Sequence, residues 1–349
     1  VRLLRGPRLE AELRFKTDPS TEAWIGRDAP LLSRTSAERV RDEFARGLAV
    51  PRASRFAQRL AHLGLLIHVV PELEELKGVR QSYPRCFDTW RHTLAAMDTL
   101  DRVIAMVASA PAQSGLPALG GVPAGAWDDL IRVVGAFAND LRAHLSVEVC
   151  AGRNRELLVK LAALLHDIGK PMTSSTDGDG RVRFCSHEGV GARLAATRLR
   201  ELRFSRSEVQ RACTIIRCQQ RPSRLAGQDM VTRRAVHRYF RDTDDVGVDI
   251  ALLSLADYLA TWGPNLREKP WMRRLRAAET LLHHYFERWE ETVAPELTVD
   301  GHDLMRELNL GPGPVIGRLL DALREAAAAG EIESRGDALA LAKEMAEGD

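Results

Sequence analysis

The stretch with most chemical content is Leu161-Ala-Ala-Leu-Leu-His166-Asp167-Ile168-Gly169-Lys170-Pro171. An apolar helix there delivers a histidine and an aspartate side by side at its C-terminal end, where Gly169 and Pro171 stop it. Adjacent His and Asp side chains can both reach one divalent ion. A neutral imidazole with a carboxylate suits Mn, Fe, Ni, Co or Zn, and Mg where water completes the shell. Two ligands do not complete a site, so others must come from other helices. His92, in Asp88-Thr-Trp-Arg-His92-Thr-Leu, sits early in an amphipathic helix. Asp257, in Leu252-Leu-Ser-Leu-Ala-Asp257-Tyr-Leu, is a carboxylate in the middle of an apolar helix. An unpaired charge buried there is costly, so a cation partner is expected.

Taken in order, His92, His166-Asp167 and Asp257 resemble the H…HD…D pattern of HD-superfamily phosphohydrolases. A bound ion would polarise a phosphoryl oxygen and bring the pKa of a water towards neutrality, with Asp167 or His187 orienting that water. The expected reaction is hydrolysis of a phosphomonoester or phosphodiester. His187, in Ser186-His187-Glu188-Gly189-Val190-Gly191, opens the next helix and is either a site residue or an N-terminal cap. In proteins of the resembling class that position supports a second metal or contacts the substrate phosphate. Lys170 and Arg217 are candidate phosphate partners, with a solvated surface charge as the other reading of each.

The elements that must position these residues are helical, and the expected fold class is mainly α. Leu- and Ala-rich stretches at helical spacing dominate. A helix is expected from Ser36, as N-cap, to Val50, and another from Arg52 to Leu63, opened by Pro51 and ended by Gly64. Further helices are expected near 88–107, 127–145, 153–168, 187–202, 205–219, 231–240, 247–261, 270–292, 300–308, 313–329 and 335–346. Residues 109–126, rich in Gly, Pro, Ala and Ser, read as a flexible insertion. Residues 173–185, with Asp-Gly twice before Arg181-Val-Arg-Phe184, read as a small hairpin or ordered loop.

The 349 residues suffice for two or three compact units. Net charge is only +2, which excludes a global polycation that wraps nucleic acid indiscriminately. Lysine occurs only at 16, 77, 160, 170, 269 and 343, so 44 of the 50 basic residues are arginine. That bias fits phosphate recognition by the guanidinium fork, and equally a genome-wide composition. No apolar run approaches the ~20 residues of a membrane span, and no signal-peptide pattern opens the chain, so a cytoplasmic protein without membrane association is expected. The five cysteines, Cys86, Cys150, Cys185, Cys213 and Cys218, form no CxxC pair and read as free thiols.

A more specific resemblance rests on several segments. Val70-Pro-Glu-Leu-Glu-Glu-Leu-Lys-Gly-Val-Arg-Gln81, Phe87-Asp-Thr-Trp-Arg-His92-Thr-Leu, HDIGKP and Ser186-His-Glu-Gly-Val-Gly together resemble bacterial tRNA nucleotidyltransferases (CCA-adding enzymes) and their poly(A) polymerase relatives. So do Arg2-Leu-Leu-Arg5-Gly-Pro-Arg8-Leu-Glu-Ala-Glu-Leu-Arg-Phe15 and Pro30-Leu-Leu-Ser-Arg-Thr-Ser-Ala-Glu-Arg39-Val-Arg-Asp-Glu43. In the tail, Leu297-Thr-Val-Asp-Gly-His-Asp-Leu-Met305 and Leu310-Gly-Pro-Gly-Pro-Val-Ile-Gly317 match as well. The resemblance implies a head/neck junction remnant at 1–30, a neck at 31–84, an HD domain at 85–265 and a tail at 266–349. It also implies RNA- or nucleotide-binding roles for Arg2, Arg5, Arg8, Arg39 and Glu43. The Gly-Gly-x-Val-Arg-Asp segment and paired aspartates of the family's catalytic head are not in the sequence. The chain begins at Val1, inside the family's nucleotide-reading Glu-Asp-x-x-Arg motif, whose arginine would be Arg2. Nucleotide addition is therefore not expected from these residues alone. Two-metal relatives carry His-His where this chain has Arg217-Cys218-Gln219-Gln220-Arg221-Pro222, so one ion is expected, and a second site is in doubt.

Two functions follow. One is hydrolysis of nucleotide or RNA-end phosphoesters, of the 2′,3′-cyclic phosphodiesterase, 2′-nucleotidase or phosphatase type that the resemblance implies. The other is a non-hydrolytic body that grips tRNA for a nucleotidyltransferase head supplied in trans, reading the RNA by shape and backbone. The Gly-Tyr-Pro signature of cyclic-dinucleotide phosphodiesterases is absent, and Lys170-Pro171 replaces the Glu-Asp pair of alarmone hydrolases.

Overall fold

A computed structural model of the chain describes residues 1–82, 88–108 and 121–347. Cys86, Phe87 and residues 109–120 of the expected insertion lie outside the described residues. The fold is mainly α, as the periodicity requires.

The neck opens with α1 (Arg2–Leu13), α2 (Pro19–Asp28), α3 (Ala37–Leu48) and α4 (Ala53–His62). The first two were not among the expected helices. Asp18 caps α2 by accepting from the backbone N–H groups of Ser20 and Thr21, ahead of Pro19 at the first helical position. Ser36 does stand at the N-cap of α3, although its hydroxyl makes no capping bond. Pro51 does not open the next helix. Arg52 is the N-cap in a left-handed conformation (φ 69°), and α4 starts at Ala53.

The body follows as α5 (Thr89–Ala108), α6 (Ala124–Ala136), α7 (Ala138–Ser146), the short strands β1 (Glu148–Cys150) and β2 (Arg153–Asn154), and α8 (Arg155–Leu165). The single helix expected over 127–145 is broken at Phe137, which is buried and stacks on Phe286. Within the expected insertion, residues 124–126 are already helical. A short helix α9 (Lys170–Thr173) leads into β3 (Ser174–Thr176) and β4 (Val182–Phe184). These two pair antiparallel, Ser175 opposite Arg183, so the 173–185 hairpin forms. Next come α10 (His187–Glu201), α11 (Arg206–Cys218), α12 (Arg221–Leu225), α13 (Arg233–Thr243), α14 (Gly247–Trp262) and α15 (Glu268–Glu287). The tail holds α16 (Gly301–Leu308), α17 (Pro314–Ala329) and α18 (Arg335–Glu347).

One hydrophobic core runs from Leu4 to Val293, and a smaller one joins Val299, Leu304, Ile316, Leu319, Leu323, Ala338 and Ala342. Helix α8 is buried on every side from Leu157 to Leu165, as expected of a helix apolar all round. Helix α14 is nearly as deep and lies along α5. The stretch Arg233–Asn265 is long and apolar enough to cross a membrane by composition, but the qualifying window is 78% buried inside the fold, so these residues serve the core.

Candidate metal centre

Helices α5, α8 and α14 bring their polar residues to one point. Asn154 starts α8 by accepting from the Leu157 N–H, and the helix ends with His166 at its C-cap. Asp88 starts α5 by accepting from the Arg91 N–H, which places His92 on the first turn. His92 and His166 are each 1% exposed and Asp167 is 2% exposed.

His92 Nε2 lies 2.8 Å from Asp257 Oδ1 and 3.6 Å from Asp167 Oδ2. His166 Nε2 lies 3.2 Å from Asp167 Oδ2 and 3.7 Å from Asp257 Oδ1. Ligands about 2.1 Å from one ion, at tetrahedral or octahedral angles, stand roughly 3.0–3.4 Å apart. The donor atoms, 2.8–3.7 Å apart, stand within a few tenths of an ångström of that spacing. His92, His166 and Asp257 also form a group whose ligand atoms all lie within 4.8 Å of one another.

Hydrogen bonding supports the same fit. His92 Nε2 and His166 Nε2 are buried without a properly oriented hydrogen-bond partner. The Nδ1–H of His166 donates to the Ala163 carbonyl at 2.7 Å, which leaves Nε2 as the lone-pair atom turned to the cluster. Burial pushes His92 below its ordinary pKa, favouring the neutral form that binds metal. Burial opposes charge on Asp167, but His166 and Lys170 outweigh it and hold the carboxyl well below the usual carboxylate range.

Lys170 is not a surface charge. It is fully buried, donates to Asp167 Oδ2 at 2.5 Å and to Gln81 Oε1 at 2.8 Å, and lies over the Phe184 ring. Its ammonium neutralises Asp167 from inside the fold. His187, on the first turn of α10, donates from Nδ1 to the Phe184 carbonyl at 2.9 Å and presents Nε2 at 3.6 Å from Asp167 Oδ1. It is part of the cluster rather than a helix cap. Arg217 is exposed on α11, and among the described residues no ion pair ties it to the cluster.

Three contributors have roles that the sequence did not reveal. Gln81 shares Lys170, and its place became legible only once the chain before α5 was folded against the HD turn. Gln219 donates from Nε2 to the His166 carbonyl at 2.8 Å, so this side chain braces a ligand backbone and does not face an ion. Gly169 allows α10 to press on the turn: a Cβ there would meet the His187 carbonyl oxygen at 2.2 Å and the Gly191 nitrogen at 2.6 Å.

In the neck, Glu43 is buried and gathers Arg8 Nε at 2.8 Å and Arg5 Nη2 at 3.3 Å. Arg2 and Arg39 are exposed and form no ion pair among the described residues. The expected group thus divides into a bound trio and two free cations.

Two histidines and two aspartates converging from three helices of a bundle define an HD domain, and the HD domain family model matches residues 132–262. Residues 14–77 match the model of an RNA- and SrmB-binding site of polymerase A, and residues 278–342 match tRNA nucleotidyltransferase domain 2. The chain is 31% identical to the CC-adding tRNA nucleotidyltransferase of Thermus thermophilus, over 98% of its own length and 65% of that protein's. It is 30% identical to the A-adding tRNA nucleotidyltransferase of Deinococcus radiodurans, over 99% of its length and 68% of that protein's. This chain belongs to the tRNA nucleotidyltransferase family. It spans about two thirds of the length of these curated relatives. A solved apo structure of a CCA-adding enzyme shares the fold at a TM-score of 0.50 and 13% identity, covering 97% of this chain and 57% of that one.

Proposed function

We propose that this chain carries a divalent-metal-dependent HD phosphohydrolase acting on nucleotide or RNA-end phosphoesters, within a nucleotidyltransferase-type protein that serves tRNA 3′-end processing in the cytoplasm. The observation that carries the reading is the convergence of His92 Nε2, His166 Nε2, Asp167 Oδ2 and Asp257 Oδ1 within 2.8–3.7 Å, with all but Asp257 buried. These four residues would hold one ion, of the Mn, Fe, Co, Ni, Zn or Mg class, with Gln219 committed to a carbonyl and so not available for a second. When bound, the ion supplies a Lewis acid for the phosphoryl oxygen and an activated water. His187 would offer Nε2 to accept a proton from a water at the cluster, because its Nδ1 is engaged by the Phe184 carbonyl. Lys170 keeps Asp167 ionised. The division into junction (1–30), neck (31–84), HD domain (85–265) and tail (266–349) is part of this proposal.

The test is phosphate release from 2′,3′-cyclic AMP and from 2′-AMP with Mn²⁺, Ni²⁺, Co²⁺ or Mg²⁺. Release that needs the ion and disappears in Asp167→Ala and in the less buried Asp257→Ala supports the hydrolase. A second reading, a non-hydrolytic body that holds tRNA, is favoured by the RNA-binding-site match at 14–77. No release with any ion, together with salt-dependent tRNA binding, would assign that second role.

A further inference from the structure

Between α12 and α13 lies a groove lined by Arg221, Arg224, Arg234 and Arg238, together with Gln228 and Thr232, and among the described residues no acidic side chain lines it. Neighbouring carboxylates do not use up its hydrogen-bonding capacity. The Arg224 side chain is 76% exposed, and its carboxylate partner, Glu188, is 3.9 Å away. Arg234, Arg238 and Arg241 share one carboxylate, Glu325, with Glu331 as a second partner of Arg234 and Asp242 as the partner of Arg221. A guanidinium has five donors, so each retains N–H groups beyond its ion pair.

The groove adjoins the metal centre. Arg224 meets Glu188, whose Oε2 is 3.5 Å from His187 Nδ1, and His187 Nε2 is 3.6 Å from Asp167. On the other side, Ser223 Oγ of α12 is 3.4 Å from Ser254 Oγ, one turn before Asp257 on α14. These contacts tie α12 and its arginines to the helices that hold the cluster.

We infer that this groove is a phosphate track, holding the sugar–phosphate backbone of a single-stranded RNA whose terminal phosphoester lies at the metal centre. The inference rests on the hydrolase reading for what happens at the end, but not for the binding. A mononucleotide needs one phosphate partner, whereas four guanidiniums line this groove, and Arg234 and Arg238 repeat at one helical turn, ~6 Å along the axis. The guanidinium fork matches phosphate oxygens. The aromatic side chain of the lining, Tyr239, is 1% exposed and donates its hydroxyl to the Gly247 carbonyl, so it offers no stacking face. Binding should accordingly follow phosphates rather than base identity.

The experiment uses the full chain and a labelled six-nucleotide RNA, with binding read by fluorescence anisotropy across a salt series. Four contacts to a single strand predict a log–log salt slope of about −2.8. Arg224→Glu should weaken binding, and Arg224→Glu with Arg238→Glu should weaken it by ~10-fold or more and flatten the slope by about 1.4. Lys343→Glu on α18 is the control for net charge and should bind as the unaltered chain does. In the hydrolysis arm, the six-nucleotide RNA ending in a 2′,3′-cyclic phosphate should exceed 2′,3′-cyclic AMP in kcat/KM by ~10-fold, an advantage the double variant loses. Unchanged anisotropy in the double variant, or an equal loss in Lys343→Glu, would overturn the track. No release from either substrate would sink the hydrolase reading alone, and the anisotropy would still decide the groove.

Discussion

Gly169→Ala isolates the packing that brings His187 to the metal ligands. Gly169 has φ −81°, a conformation open to any residue, so the substitution brings no backbone strain. Its effect must come from contact. The added Cβ would lie 2.2 Å from the His187 carbonyl oxygen and 2.6 Å from the Gly191 nitrogen, both backbone atoms at the start of α10. Relief requires α10 to retreat by about 1 Å, since overpacked atoms in a dense interior have no side chain to turn aside. Overpacking typically costs 1–3 kcal/mol, and two backbone clashes place this one near ~3 kcal/mol. For a 349-residue chain that corresponds to a melting temperature lower by about 4 °C. The same retreat lengthens the 3.6 Å separation of His187 Nε2 and Asp167 Oδ1. Gly191→Ala is the matched comparison, because its Cβ meets Gly169 N at 3.3 Å and Ile216 Cγ2 at 3.5 Å and needs only a few tenths of an ångström. Thermal denaturation of both variants, with metal-dependent turnover, tests the argument. A melting temperature for Gly169→Ala within about 1 °C of the parent, or no lower than that of Gly191→Ala, would refute it.

Three further outcomes follow from the same geometry. Lys170→Met leaves buried Asp167 without its cation and should cost about 3–5 kcal/mol in denaturant unfolding, partly recovered by adding divalent metal; a loss below about 1 kcal/mol would contradict the pairing. Burial pushes the Asp101 carboxyl up to about 6 despite the nearby Lys160 ammonium, so the folded state keeps this proton longer than the unfolded chain. Its contribution to stability therefore falls as pH rises from about 4 to about 6, by up to about 3 kcal/mol. Asp101→Asn should gain on the parent by that order between pH 4 and pH 7 in parallel urea titrations, and a pH-independent difference would dismiss the effect. Finally, Mn²⁺ or Ni²⁺ at 100 times its Kd should stabilise the parent by about 2.7 kcal/mol. A thermal-shift titration should show no such gain for His92→Ala, and equal shifts in both proteins would exclude this ligand set.

Local pattern determined a good deal of this protein. The apolar periodicity of 153–168, 187–202 and 247–261 specified helices because each must bury a face, and those helices exist within a few residues of the expected ends. Residue chemistry was also legible: an aspartate in the apolar run 252–259 and a His-Asp pair before Gly169 needed partners, and Asp257 meets His92 and His166 while Asp167 meets Lys170. Tertiary structure decided what local pattern cannot carry. Lys170 reads in sequence as a phosphate partner or a solvated cation, yet it is fully buried, held by Asp167 on its own turn and by Gln81 and the Phe184 ring from other segments. Gln219 reads as a poor replacement for a ligand, and only the fold shows its amide bracing the His166 carbonyl. Arg221, Arg224, Arg234 and Arg238 are scattered among 44 arginines in the sequence, and they become one groove only when α12 and α13 pack beside the metal centre. Side-chain type and helical period are properties of a few consecutive residues. Burial and partnership depend on which distant segments arrive, and those are settled by packing.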